Sequence, residues 1–274
     1  MLQDKKKYYS VAVCKKKGLK MVKISAYIVT LNEEKRLGKT LEALRQVADE
    51  IFVIDSGSTD KTKEIAESYG ATFLFHEWKN ISSQKHYGQE LCHNNWVFSL
   101  DADEVLSPQL IAEIKQEMQN PQADAYLMKI RDMLPGDKKP RRFAKTYNQV
   151  RLYNRTKSNM PDDLTNDRVI VGTEAKVQQL KNIVYHYSYI SLTQIWFKLN
   201  MYTDELVKTA VEQGRHYTRL RLYTEFVRQF FVYYIWKRYF LYGTCGFWMA
   251  TTYAYFRFLK IAKWFEWKAL NKDE

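Results

Sequence analysis

At 274 residues, with 46% apolar and 27% charged side chains, the chain is long enough for one folded α/β domain plus an appendage, and its composition excludes a disordered polymer. A net charge of +12 calls for an anionic partner (nucleic acid, anionic membrane or a phosphorylated substrate) without choosing among them. Cys14, Cys92 and Cys245 are widely spaced and form no Cys-x-x-Cys pair, which argues against a zinc site or a disulfide scaffold and for a reducing compartment.

Residues 1–21 read as a basic N-terminal arm, with Lys5-Lys6-Lys7 and Lys15-Lys16-Lys17 and without the apolar stretch of a secretory signal; Met21, just before the first strand, is an alternative start. Ile24 to Thr30 is short and rich in β-branched residues, the pattern of a strand. Polar Asn32, Glu33 and Glu34 follow, then Leu37, Leu41 and Leu44 at helical spacing. Glu50 to Asp55 is a second strand, and Ser56-Gly57-Ser58-Thr59-Asp60 a small-residue turn into a helix that closes at Gly70. Asp60 suits the N-cap of that helix or a ligand contact equally. Ala71 to Phe75 is a third strand, a helix runs from Ser82-Ser83 to His93, and Trp96 begins a fourth strand.

That fourth strand, Trp96-Val97-Phe98-Ser99-Leu100, runs into Asp101-Ala102-Asp103-Glu104. Carboxylates this close raise one another's pKa unless something positive lies among them. With Ala102 facing away, Asp101 and Asp103 are expected to point at one hard cation, Mg²⁺ or Mn²⁺, which takes few protein carboxylates and fills its shell with phosphate oxygens. The competing reading is an acidic helix entrance, since Ser107-Pro108 opens a helix just downstream.

Strands alternating with helices predict βαβ units and a mostly parallel sheet, whose ligands bind beyond the carboxyl ends of the strands. The polar residues fall at those ends: Thr30, Asn32 and Glu33; Asp55, Ser58 and Asp60; Asp101 and Asp103. No Gly-x-Gly-x-x-Gly follows the first strand and no P-loop occurs, which disfavours a classical dinucleotide site and a P-loop nucleotidase.

Thr30-Leu31-Asn32-Glu33, Asp55-Ser56-Gly57-Ser58-Thr59-Asp60 and Asp101-Ala102-Asp103-Glu104, in this order, resemble the inverting family 2 glycosyltransferases with the Rossmann-like GT-A fold. The resemblance spans about residues 22–190. Within the family it is closer to the bacterial enzymes that add glucose to the inner core of lipopolysaccharide or lipooligosaccharide. It implies a UDP-sugar donor and Mg²⁺ or Mn²⁺. On these positions it implies that Asp55 accepts from uracil, that Asn32 or Glu33 lies by the nucleoside, that Asp103 ligates the metal, and that Asp101 faces the ribose or donor sugar. Lys85 would approach the nucleotide, although a lysine on a helix is more often simply solvated. His186, in a His-Tyr-Ser stretch, is a second metal or diphosphate ligand or else a buried histidine among tyrosines. Gln149 to Asn154 corresponds to the family's Arg-Leu-Tyr strand. The family's His-Glu pair is replaced by Asn166-Asp167, so Asp167 is the candidate general base, with Asp162 and Asp163 as alternatives.

Residues 123–130 form a further strand, and the basic stretch 132–145, with Lys138, Lys139, Arg141 and Arg142, reads as a loop that either meets an anionic acceptor or is solvated. From Ser191 to the end the pattern is helical and aromatic. The uncharged run from Tyr239 to Phe256 is near the minimum length of a membrane span, but its glycines, threonines and tyrosines and its basic flanks favour helices lying on the inner face of the cytoplasmic membrane. A spanning or re-entrant helix and an oligomerisation face are the alternatives. The reading is therefore a cytoplasmic, peripherally membrane-bound transferase with a lipid-linked acceptor. The rivals are a nucleotidyltransferase, which lacks its phosphate loop here, and a basic membrane-surface or nucleic-acid-binding module, whose stacking aromatics would lie on a sheet rather than on helices.

Overall fold

The structure is a computed structural model that describes residues 21–134, 137, 140, 141, 144, 146–163, 167–188 and 191–271. The basic arm, Lys138, Lys139, Arg142 and Asn166 fall outside the described residues. Strands β1 (Ile24–Thr30), β2 (Glu50–Asp55), β3 (Thr72–Phe75) and β4 (Trp96–Asp101) are the four expected from the pattern. Between them lie α1 (Leu37–Leu44), α2 (Thr62–Ser68) and α3 (Ile81–Leu91). β5 (Glu104–Leu106), α4 (Pro108–Glu117), β6 (Ala125–Asp132), β7 (Thr146–Asn154) and β10 (Val177–His186) complete the sheet, and β8 (Ser158–Asn159) pairs with β9 (Ile170–Val171) beside it.

The eight-stranded sheet has the order β3-β2-β1-β4-β7-β6-β10-β5. β1 pairs in parallel with both β2 and β4, so the chain winds outward to β3 and then crosses back over β1. That reversal is the topological switch point at which open α/β sheets bind ligands. β7 is antiparallel to β4 and β6, and β10 runs parallel to β6. The mixed, mostly parallel sheet with C-terminal helices is the fold that the sequence led us to expect.

β1 is buried almost throughout, as a central strand covered on both faces should be. Leu37, Leu41 and Leu44 of α1, Ala66 of α2 and Leu110 and Ile114 of α4 pack with β1 and β4 on one face. α3 covers the other face through Tyr87, Leu91 and Cys92 against Tyr27 and Tyr153. Gly88 makes this close approach possible, because a Cβ there would come within 2.7 Å of the Tyr27 ring. The N-caps are those that the side chains dictate: Asn80 accepts from Ser83 N at 2.9 Å, and Ser107 accepts from Leu110 N at 3.2 Å with Pro108 behind it. Asp60 acts one residue before the assigned cap of α2, accepting from Thr62 N at 3.0 Å and tying Glu34 N at 3.1 Å to the same carboxylate.

The C-terminal region consists of α5 (Leu192–Glu212), α6 (Arg219–Phe231), a π-helical turn (Val232–Trp236), a 3₁₀ turn (Tyr239–Tyr242) and α7 (Gly243–Leu270). The uncharged run 239–256 is therefore split between a 3₁₀ turn and the first half of α7, with Arg238 in a left-handed conformation at the break. Among the described residues no helix is long and apolar enough to cross a membrane, which removes the spanning alternative for these helices. α7 packs on both α5 and α6 and is fastened to the sheet where Tyr242 and Met249 bury Leu134, just beyond β6.

Candidate active site

Sheet register fixes the site before any side chain is considered. Thr30 is paired with Asp55, and Val29 with Asp101, so three strand ends lie on neighbouring rungs at the switch point. On the far side, His186 is level with Asp132 on β6 and with Glu104 on β5. The expected loops do converge.

The residues expected to meet the nucleoside are turned toward one another. Asp55 is 2% exposed and accepts from Gly57 N at 2.8 Å and Ser58 N at 2.7 Å on one oxygen, and from Thr30 Oγ1 at 2.9 Å and Ser58 Oγ at 2.5 Å on the other. A carboxylate has about four acceptor sites, and all four are taken. Asp55 thus organises the β2–α2 turn, and a uracil N–H would share or displace one of these donors. Asn32, at φ 55°, receives Thr59 N on its side-chain oxygen at 2.9 Å, and its own N–H donates to Ser58 Oγ at 2.7 Å. Thr30, Asn32, Asp55 and Ser58 together form a clamp between two loops, which leaves the outer surface of Asn32 and the loop backbone to face a ligand.

Asp101 and Asp103 are held by different partners. Asp101 is held by Lys85 Nζ at 3.0 Å and by Arg151 Nη2 at 2.7 Å. Arg151 also donates to Glu104, and both members of that pair are sealed from water. Burial works against ionisation of Asp101, but the two cations prevail and hold its carboxyl well below the usual range. Burial and the charges of Asp101 and Asp103 outweigh Arg151 and His186 at Glu104, whose carboxyl is pushed up to about 7. Arg151 resists the opposite effect of burial because two carboxylates face it, and stays charged. Lys85, far from being solvated, is 1% exposed, and its ammonium also lies 3.8 Å from Asp167 Oδ2. The candidate base is thereby placed on the Asp101 side of the site. Asp162 and Asp163 are exposed on the segment that precedes it.

Asp103 belongs to a second ladder. Arg36 Nη1 donates to Asp103 Oδ2 at 3.1 Å and to Tyr187 O at 3.1 Å, while its Nε donates to Glu33 Oε2 at 2.7 Å. His186 Nε2 lies 3.5 Å from the same Asp103 oxygen, and His186 Nδ1 donates to Asp132 Oδ1 at 2.8 Å. Burial raises the Asp103 carboxyl, yet His186 and Arg36 bring it below its ordinary value. His186 would be lowered by burial alone, but Asp103 and Asp132 hold it up at about 10. Glu33 is raised by burial despite Arg36. Both of its oxygens are bonded to Arg36.

Arg36, Arg151 and Asp132 are the site residues that sequence reasoning missed. A charged residue at the centre of the apolar strand Val150-Arg151-Leu152-Tyr153 was the available signal for Arg151. Arg141, for which an acceptor contact and a solvated loop stayed open, is clasped by Asp137 through two bonds of 2.8 and 3.0 Å.

Among the described residues no three His, Cys, Asp or Glu side chains converge as a metal cage. A cation that keeps most of its shell for phosphate needs fewer. Asp103 Oδ1 has no hydrogen-bond partner among the described residues, and the Asp132–His186 bond is the support that a metal-binding imidazole commonly has, so the donor set fits such an ion.

The family model for "Glycosyl transferase family 2" matches residues 25–175, which contain both acid ladders except Asp103's partners Tyr187 and His186. The chain belongs to glycosyl transferase family 2. It is a glycosyltransferase. An uncharacterized glycosyltransferase of Rickettsia typhi is 36% identical over 253 residues, covering 89% of this chain and 87% of that one. The lipopolysaccharide core biosynthesis glycosyltransferase LpsC of Rhizobium meliloti is 41% identical over 92 residues, 32% of this chain and 34% of that one. Among solved structures, TarS of S. aureus aligns over 68% of this chain and 66% of its own with 17% identity and a TM-score of 0.43.

Proposed function

We propose that this family 2 glycosyltransferase moves a hexose, glucose from UDP-glucose in the simplest case, onto a lipid-linked inner-core saccharide of lipopolysaccharide or lipooligosaccharide, with inversion. The observation that carries the reading is the gathering of Asp101, Asp103, Lys85 and Asp167 at the switch point of a family 2 sheet. The local likeness to a protein named for lipopolysaccharide core biosynthesis supports the acceptor class.

Lys85 and Arg151 fix both oxygens of Asp101, which leaves it oriented to accept from the hydroxyls of a ribose or donor sugar. Arg36 and His186 hold Asp103 toward the same edge. Asp103, joined by His186 once that imidazole gives up its proton, would hold Mg²⁺ or Mn²⁺, which would supply positive charge for the departing diphosphate. The acceptor hydroxyl gives its proton to Asp167 as its oxygen bonds to the anomeric carbon; the bond from that carbon to the diphosphate breaks with its electron pair, leaving a β-linkage. Lys85, next to Asp167, keeps the base at this edge.

Membrane attachment completes the proposal. Leu220, Tyr223, Val227 and Phe231 form one exposed stripe at helical spacing on α6, continued by Ile235 and by Trp236, which is 84% exposed. Arg219, Arg228, Lys237 and Arg238 flank it. An amphipathic surface of this kind lies in the headgroup region of an anionic leaflet.

The test is thermal stabilisation by UDP with Mn²⁺, followed by a screen of UDP- and GDP-sugars for hydrolysis with and without truncated core acceptor. Stabilisation by UDP and Mn²⁺ and acceptor-dependent turnover of one UDP-hexose are expected. Stabilisation by RNA or ATP instead, with no response to UDP, would overturn the reading.

A further inference from the structure

A cavity of about 320 Å³ opens beside the Asp103 ladder, within the size range of small-ligand sites. Arg36 and His186, the two residues that hold Asp103, line it together with Asp132, which is paired with His186, and with Lys198 and Tyr202 of α5 and Tyr253 of α7. None of the residues of the Thr30–Asp55 clamp or of the Lys85–Asp101–Asp167 group lines it. It is therefore a second compartment on the same edge, and Lys198, Tyr202 and Tyr253 come from helices that lie beyond the family match at residue 175. Parts added to a shared fold are where substrate selection commonly resides.

The chemistry of the cavity is specific. Tyrosine rings offer flat apolar faces with a polar tip, suited to the mixed surface of a sugar. The enclosed hydroxyl of Ser188, which also lines the cavity, finds no hydrogen-bond partner among the described residues. Arg36 is fully committed to Glu33, Asp103 and the Tyr187 carbonyl, and His186 is committed to Asp132 and Asp103. Lys198 differs from both. Among the described residues it has no carboxylate within ion-pair distance; its ammonium lies 5.9 Å from the Tyr202 ring and is near enough to Glu33 to offset part of what burial does to that carboxyl. The cavity thus holds one cation whose charge is left for a ligand.

We propose that this cavity is the acceptor subsite and that it takes a saccharide bearing an anionic substituent, a carboxylate or a phosphate ester, which Lys198 pairs while Tyr202 and Tyr253 flank the ring. The proposal rests on the glycosyltransferase reading above, since the cavity earns its role from its place beside Asp103. It goes further by assigning the charge of the acceptor and the residue that reads it.

Binding to the full chain tests it, with UDP and Mn²⁺ measured in parallel. The probes are octyl β-D-glucuronide for the carboxylate, glucose 6-phosphate for the phosphate ester and octyl β-D-glucoside as the neutral control. At least one anionic probe is expected to bind about tenfold more tightly than the neutral one. Lys198→Ala should remove that preference and Lys198→Arg should keep it, and neither should alter UDP binding. Preference for only one of the two anions supports the proposal and identifies the group. Failure of both anionic probes to bind, equal binding of all three, or a preference that survives Lys198→Ala overturns it. Absence of UDP binding in the unaltered chain would instead count against the donor reading, which is read on its own channel.

Discussion

Arg36 Nη1 donates to Asp103 Oδ2 at 3.1 Å, so the carboxylate best placed to hold a divalent ion is already gripped by a cation through one oxygen while the other oxygen stays open. The grip orients Asp103 and stops it from folding back onto Asp101, which is itself taken by Lys85 and Arg151. Asp103→Asn removes the charge and keeps the shape. Loss of about 10²–10³ in turnover is expected, with the Mn²⁺-dependent part of UDP stabilisation lost in a melting experiment. Turnover unchanged in this variant would rule out the assigned role.

Arg151 is sealed from water between Asp101 and Glu104, and breaking a buried pair from one side leaves uncompensated charge. Arg151→Met should destabilise the fold by about 3–5 kcal/mol in urea titrations. Arg151→Met combined with Glu104→Gln should recover part of the loss, because the deepest unpaired carboxylate is gone. A double variant no more stable than the single one would show that the pair is not the source.

His186 gives the pH dependence. Its folded value of about 10 lies above the ordinary 6.5, so its contribution is complete below 6.5 and is lost as pH rises toward 10. Metal-free protein should therefore melt at progressively lower temperature across that window. His186→Gln should melt lower at pH 6 and lack this part of the slope; parallel profiles for the two proteins would contradict the assignment.

Gly88 lets α3 lie against Tyr27, and α3 carries Lys85. Gly88→Ala should cost about 1–3 kcal/mol by overpacking and should weaken nucleotide binding as Lys85 shifts. Calorimetry and UDP titration on the same preparation read both effects, and Gly70→Ala, where a Cβ would meet nothing within 4 Å, offers a comparison in which only the left-handed backbone is strained.

The exposed stripe on α6 predicts co-flotation with vesicles that contain phosphatidylglycerol. Ile235→Glu with Trp236→Glu should abolish it, and raised salt should weaken it in the unaltered protein. Melting temperature should stay the same, because both side chains project from the surface.

Much of the frame was legible because periodicity reports burial directly. β1 to β4 and the Ser107-Pro108 helix start follow from side-chain alternation and capping chemistry, and their carboxyl ends located the site edge. What could not be read was which polar groups satisfy one another. Asp55 and Ser58 look like ligand contacts in a linear sequence, yet they spend their hydrogen bonds on a loop clamp. For Lys85 a nucleotide contact and a solvated face stayed open, because a helix pattern gives the spacing of a face but not what that face meets. Arg36 and Asp132 pair across 67 and 54 positions with Asp103 and His186, separations at which no local signal exists. In the aromatic tail the break falls at Arg238, just before the uncharged run that begins at Tyr239, but the division of that run into a 3₁₀ turn and α7 had no local signal.

Tyr253 lines the cavity beside Asp103 and also stacks on Tyr233 at 5.0 Å, in the same π-helical turn that carries Ile235 and Trp236. This stacked pair joins the wall of the compartment to the turn proposed to meet lipid. If the turn rests on a bilayer as proposed, the compartment is tied to that surface through this stacked pair.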